Sequence, residues 1–298
     1  MSHLVTGLVP ILATPFHADG TLDIPSLRRM TEFALQSGVT GVAVSGMASE
    51  AFALTTPERQ HVLREVVRVV DQSVPVVAGV NGTSTATAIE QAVSAQEDGA
   101  QCLMVLPPFM VKPAPTQIID FYAAVADAVD IEIMVQDAPG PSGVQMSTEM
   151  IAKLSQISGV TSVKVEAPPT APKTGAVAEV VDTSQFGLLG GNNAQFCLEE
   201  YAQGAIGTMP ACEFVDLLNP ILQSWEAGNH AEARQEFARL LPMVLAGLQP
   251  GLAWSVHKEI LVRRGIIENS TVRPPARPLD QRTRVALHEM LDALPFQI

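Results

Sequence analysis

An α/β fold, eight parallel strands alternating with helices and closed into a barrel, is predicted by three observations. Short apolar, β-branched runs recur from residue 4 to residue 209. Longer stretches of helical periodicity lie between them. Each short run is almost continuously apolar instead of alternating, the pattern of strands covered on both faces. An open, doubly wound sheet would want a glycine-rich phosphate loop after its first strand, and Ala13-Thr14-Pro15-Phe16 is not one.

The expected strands are 4–13, 41–45, 74–79, 102–106, 131–137, 160–165, 186–189 and 205–209. Helical patterns occupy 24–36, 56–70, 85–98, 116–128, 147–156, 175–181 and 194–203. Several open on capping residues, as Thr56 does before Pro57-Glu58 and Ser147 before Glu149. Past Met209 the strands stop, and helical patterns follow at 215–226, 230–245 and 282–294. The expected organisation is a barrel over residues 1–210 and a C-terminal helical extension over 211–298. No linker-like segment separates them, so the extension is expected to pack on the barrel.

With 47% hydrophobic and 16% charged residues, the chain of 298 residues is folded and large enough for a substantial core. A net charge of −13 disfavours nucleic acid and anionic membranes as partners, so an anionic substrate needs local donors. Cys102, Cys197 and Cys212 are widely spaced, which fits reduced thiols and a cytoplasmic location. The apolar N-terminal run lacks a basic start and is broken by Pro10 and Pro15, so it reads as a strand. No apolar run is long enough to span a membrane. The six histidines never adopt metal-ligand spacing, so neither a metal nor another cofactor is expected. The basic stretch Arg263-Arg264 and Arg273 to Arg277 reads as a solvated face or a subunit contact.

In such a barrel the chemistry sits on the loops that follow the strands. The sixth strand ends Val163-Lys164-Val165-Glu166-Ala167-Pro168-Pro169. Alternation puts Lys164 and Glu166 on one face, roughly 6–7 Å apart along the backbone, with Val163 and Val165 on the other. A desolvated lysine loses its proton more readily and condenses with a ketone to a Schiff base. A solvated, inert ion pair at a strand end is the alternative these residues leave open.

In order and spacing, Thr14-Pro15-Phe16, Gly46-x-x-Ser49-Glu50, Gly79 with its turn, Pro108, Pro139-x-x-x-Gly143 and Lys164 resemble the dihydrodipicolinate synthase/N-acetylneuraminate lyase family. The resemblance covers nearly the whole chain. It implies a TIM barrel, a pyruvate-type Schiff base on Lys164 and a homotetramer built as a dimer of dimers. Departures from the family pattern bear on the substrate. Met47 and Ala48 stand at two threonine places, Gln136 at that of the strand-five tyrosine, Met110 at a second tyrosine, and Pro141 at a carboxylate-gripping arginine. A glutamine amide does not exchange a proton as a phenol does, so lysine biosynthesis is an unexpected role.

Gln136 together with Lys164 and Glu166 looks like the 2-keto-3-deoxy-L-arabonate dehydratase branch of that family, in which the glutamate serves as acid and base. Dehydration of a 2-keto-3-deoxy acid is therefore the expected reaction, with Lys164, Glu166 and Gln136 as catalytic residues. For the keto acid's carboxylate, the Met47, Ala48 and Ser49 loop offers backbone N–H groups and the Ser49 hydroxyl. Gly190, Asn192 and Met209 complete the expected substrate contacts, with Asn193 beside them. Met47, Phe109 and Met110 are expected to form an apolar wall, and Glu50 to brace its loop from behind. Two alternatives stand beside this reading: aldol cleavage through the same Schiff base, and a catalytically silent barrel that binds a keto acid.

Overall fold

The computed structural model describes residues 3–294. Eight parallel strands form one sheet in the order β1-β8-β7-β6-β5-β4-β3-β2. They are β1 (Gly7–Leu8), β2 (Val42–Val44), β3 (Val76–Val80), β4 (Cys102–Val105), β5 (Glu132–Asp137), β6 (Val160–Val165), β7 (Gly187–Gly190) and β8 (Gly207–Thr208). Ile11 bridges both Ala43 and Ala211, and Leu12 N donates to Ala43 O at 2.8 Å, which closes the sheet into a barrel. The first strand is shorter than its apolar run because Pro10 has no N–H, so the ladder continues past it only as bridges.

Helices α1 (Ile24–Gln36), α2 (Thr56–Val70), α3 (Thr85–Glu97), α4 (Pro115–Ala126), the single turn α5 (Pro139–Ser142), α6 (Thr148–Leu154), α7 (Thr170–Ala178) and α8 (Cys197–Ala202) follow the strands. Helix α7 starts five residues earlier than the sequence pattern. Its early prolines stand in the first turn, where a missing N–H costs nothing.

Apolar side chains divide into two layers. Val9, Ile11, Val77, Met104, Met134 and Leu189 fill the barrel interior. Val163 and Val165 face outward into the larger core against the helices. That alternation turns Lys164 inward, in register with Gln136 on the neighbouring strand.

Four further helices follow the last strand: α9 (Val215–Glu226), α10 (His230–Ala246), α11 (Ala253–Arg263) and α12 (Gln281–Asp292). The sequence pattern missed α11. Ser255, Val256, His257, Lys258, Glu259, Ile260 and Leu261 are all buried, so the helix has no polar face to give it a period.

Helix α11 ties the extension to the barrel. Trp254 Nε1 donates to Met47 O at 2.7 Å. Lys258 is ion-paired with the fully buried Glu50, donates to Thr271 O at 2.8 Å and lies 4.1 Å from the Phe16 ring centroid. Two arginines of the basic stretch are bonded within the chain. Arg264 pairs with Asp216, and Arg273 bonds Glu58 and the carbonyls of Gly20 and Ala53.

Candidate active site

A cavity of about 750 Å³ opens at the C-terminal ends of the strands. Lys164 and Glu166 line it, with Met47 and Ala48 from the loop after β2, Gly140 and Pro141 from α5, and Asn192 and Met209 after β7 and β8. The α10–α11 segment covers it through Leu248, Trp254 and His257.

Lys164 is 3% exposed, and its Nζ lies 3.3 Å from Glu166 Oε1. Three further bonds hold Glu166. Gln136 Nε2 donates to Oε2 at 2.8 Å, Asn192 N to Oε1 at 3.2 Å, and Asn192 Nδ2 to the Glu166 carbonyl at 2.9 Å. Gly191 makes this approach possible, since a Cβ there would meet Glu166 Cγ at 2.4 Å. The glutamine at the tyrosine place thus orients the carboxylate, and Asn192 fixes it from the opposite loop.

Asp137, one residue beyond Gln136, points away as its strand position requires. It pairs with Lys173 Nζ at 2.6 Å behind the site, and burial pushes its carboxyl above the usual range.

Several expected contacts lie elsewhere. The Ser49 hydroxyl donates to Leu12 O at 2.6 Å and accepts from Gly46 N, while Ser49 N turns to Gly46 O. Its side chain is therefore spent on the loop's own 3-10 turn, away from the cavity. Gly190 faces outward, where a Cβ would strike Glu200 Oε2. It makes room for that side chain and stands outside the cavity lining. Asn193 accepts from Ala211 N at 3.0 Å and donates to Val244 O at 2.9 Å, so it braces the loop. Met110 is 76% exposed, and neither it nor Phe109 lines the cavity, so the apolar wall is Met47, Leu248 and Trp254 instead. Glu50 does brace its loop from behind, accepting from Arg273 N at 3.0 Å and pairing with Lys258. Both tyrosines are remote from the cavity, Tyr122 donating to Val105 O at 2.7 Å within the outer core.

Two buried groups near the site had no sequence signal. Glu200 on α8 accepts from Thr170, and burial raises its carboxyl to about 7, the charge of Glu166 adding to the rise. His257 on α11 shares a hydrogen bond of 2.6 Å between Nδ1 and Glu213 Oε1. Sequence distance hides both: the partners are brought together only by closure of the barrel and docking of the extension.

Fold and site together define a (β/α)8 barrel enzyme type with a buried lysine on the sixth strand at the mouth of its cavity. The chain belongs to the dihydrodipicolinate synthetase family, whose model matches residues 4–294. It is 32% identical over 286 residues to an L-2-keto-3-deoxyarabonate dehydratase of Azospirillum brasilense, covering 94% of this chain and 92% of that one. It is 28% identical to a 4-hydroxy-tetrahydrodipicolinate synthase of Methanococcoides burtonii, covering 97% and 98%. The crystal structure of the dihydrodipicolinate synthase from Rhodopseudomonas palustris superimposes with a TM-score of 0.90 at 27% identity, covering 97% of each chain.

Proposed function

We propose that this protein dehydrates a 2-keto-3-deoxy sugar acid through a Schiff base on Lys164. The observation that carries the reading is the bond from Gln136 to Glu166, which leaves that carboxylate as the proton carrier beside Lys164 where the family's tyrosine is absent. The Azospirillum dehydratase, at 32% identity, supports the same reaction type.

In this mechanism Lys164 Nζ attacks the C2 carbonyl, and one water leaves as the iminium forms. Glu166 takes the proton from C3, and the electron pair of that bond moves into an enamine. Glu166 then returns the proton to the C4 hydroxyl, which departs as water. Hydrolysis of the conjugated iminium frees Lys164 and a 2-keto-3-enoic acid, so the net change is loss of one water. The iminium's fixed positive charge is matched by the Glu166 carboxylate beside it. The carboxylate of the keto acid is assigned to the Met47–Ala48 loop.

Retro-aldol cleavage shares the first steps, and relatives named as synthases keep it in view. Pro141 at the arginine place and Met110 at the second tyrosine weigh against a synthase role. The assembly we assign is a cytoplasmic homotetramer. Three buried free cysteines favour a reducing compartment, and exposed Met110, Val111 and Phe52 supply apolar surface for a subunit contact.

Borohydride reduction with pyruvate, and separately with 2-keto-3-deoxy-L-arabonate, followed by intact mass and peptide mapping, tests the reading. An adduct on Lys164 that Lys164→Ala abolishes, with loss of water from the sugar acid, is the expected result. Absence of any adduct with both acids overturns it, and recovery of pyruvate plus an aldehyde replaces dehydration by cleavage.

A further inference from the structure

The helical extension contributes a polar group to the cavity that the dehydration chemistry does not use. His257 lines the cavity from α11 and is 5% exposed. Its Nδ1 is engaged by Glu213 Oε1 at 2.6 Å, and Glu213 is fully buried. Gly247 clamps the ring edge, since a Cβ there would lie 2.5 Å from His257 Cε1 and 2.9 Å from Asn193 Nδ2. Ring orientation is therefore set from two sides, and Nε2 has no protein partner among the described residues.

The other polar groups of the lining are largely committed. Lys164 and Glu166 serve the reacting carbons, Asn192 holds Glu166, and both ends of the Asn193 amide bond to backbone. A cavity of about 750 Å³ is far larger than a three-carbon keto acid requires, and it falls within the ~300–1,000 Å³ typical of sites for larger small molecules. The remainder of a sugar acid's chain has to lie against this lining, and its hydroxyls need acceptors there.

We propose that His257, oriented by Glu213, is the specificity residue whose Nε2 hydrogen-bonds a hydroxyl on the distal carbons of the substrate. The proposal rests on the keto-acid reading above. With Nδ1 committed to Glu213 Oε1, Nε2 is the ring nitrogen left to hydrogen-bond the substrate chain. A site built to bond a hydroxyl rejects an analogue lacking it far more strongly than an apolar pocket does.

The test uses two probes, 2-keto-3-deoxy-L-arabonate and 2-oxobutyrate, the second of which lacks both distal hydroxyls and the fifth carbon. In His257→Leu the concentration for half-maximal borohydride trapping of the sugar acid is expected to rise by about tenfold or more, with trapping of 2-oxobutyrate unchanged. His257→Gln, which keeps an acceptor, is expected to restore most of the difference. Equal changes for the two acids, or none, overturn the proposal. Should the leucine variant fail to fold, histidine-15N-labelled wild-type enzyme decides. The His257 Nε2 resonance is expected to move in the reduced sugar-acid adduct and not in the 2-oxobutyrate adduct, and identical spectra overturn the proposal. Absence of an adduct from wild-type enzyme with both acids sinks the keto-acid reading instead, and with it the premise.

Discussion

Gln136 on β5 and Glu166 at the end of β6 are joined by a 2.8 Å hydrogen bond from Nε2 to Oε2, directly above the register pair Gln136 and Lys164. Through this bond a residue that cannot relay protons holds the carboxylate to which the proposed mechanism gives the acid/base role. Glu166→Gln is accordingly expected to retain the pyruvate adduct on Lys164 and to lose turnover by about 10²–10⁴-fold. Steady-state rates beside adduct mass check this, and near-normal turnover would move the acid/base role to another group.

Gly191→Ala should displace the same carboxylate while leaving Lys164 in place. The added methyl would lie 2.4 Å from Glu166 Cγ, while the backbone, at φ −145°, accommodates alanine. The expected outcome is a fall in kcat of about tenfold or more with little change in melting temperature. Thermal melts and kinetics on one preparation distinguish displacement of Glu166 from general destabilisation.

Lys258 and Glu50 form a buried ion pair between α11 and the loop after β2. Removing one partner strands a charge, so Lys258→Met is expected to cost about 3–5 kcal/mol and to weaken substrate trapping through the loosened Met47–Ala48 loop. Adding Glu50→Leu should recover part of that stability. Chemical denaturation midpoints of the two variants provide the comparison.

Glu200 gives the fold a pH dependence of definite sign. Its carboxyl is raised from 4.5 to about 7, chiefly by burial. The folded state therefore holds this proton more tightly than the unfolded chain, and the contribution is complete below about pH 4.5. As pH rises through about 7 it is lost, a change of up to about 3 kcal/mol at this group. Glu200→Gln is expected to flatten that segment of the stability curve, measured by denaturant midpoints from pH 5 to pH 8. An unchanged slope would show that Glu200 is ionised throughout.

The barrel and the central pair were legible in residue order alone. Near-continuous apolar runs marked strands covered on both faces, and two-residue alternation placed Lys164 and Glu166 on one side of β6, because those signals are local and periodic. What each polar side chain bonds to followed from packing between distant segments. The Ser49 hydroxyl is consumed by its own turn, and Gly190 yields space to Glu200. Helix α11 was hidden because it is buried on nearly all sides, and docking alone brings His257 to the cavity, against Glu213 forty-four positions earlier. Such pairings depend on distances between segments far apart in the chain, and no repeat within either segment encodes them.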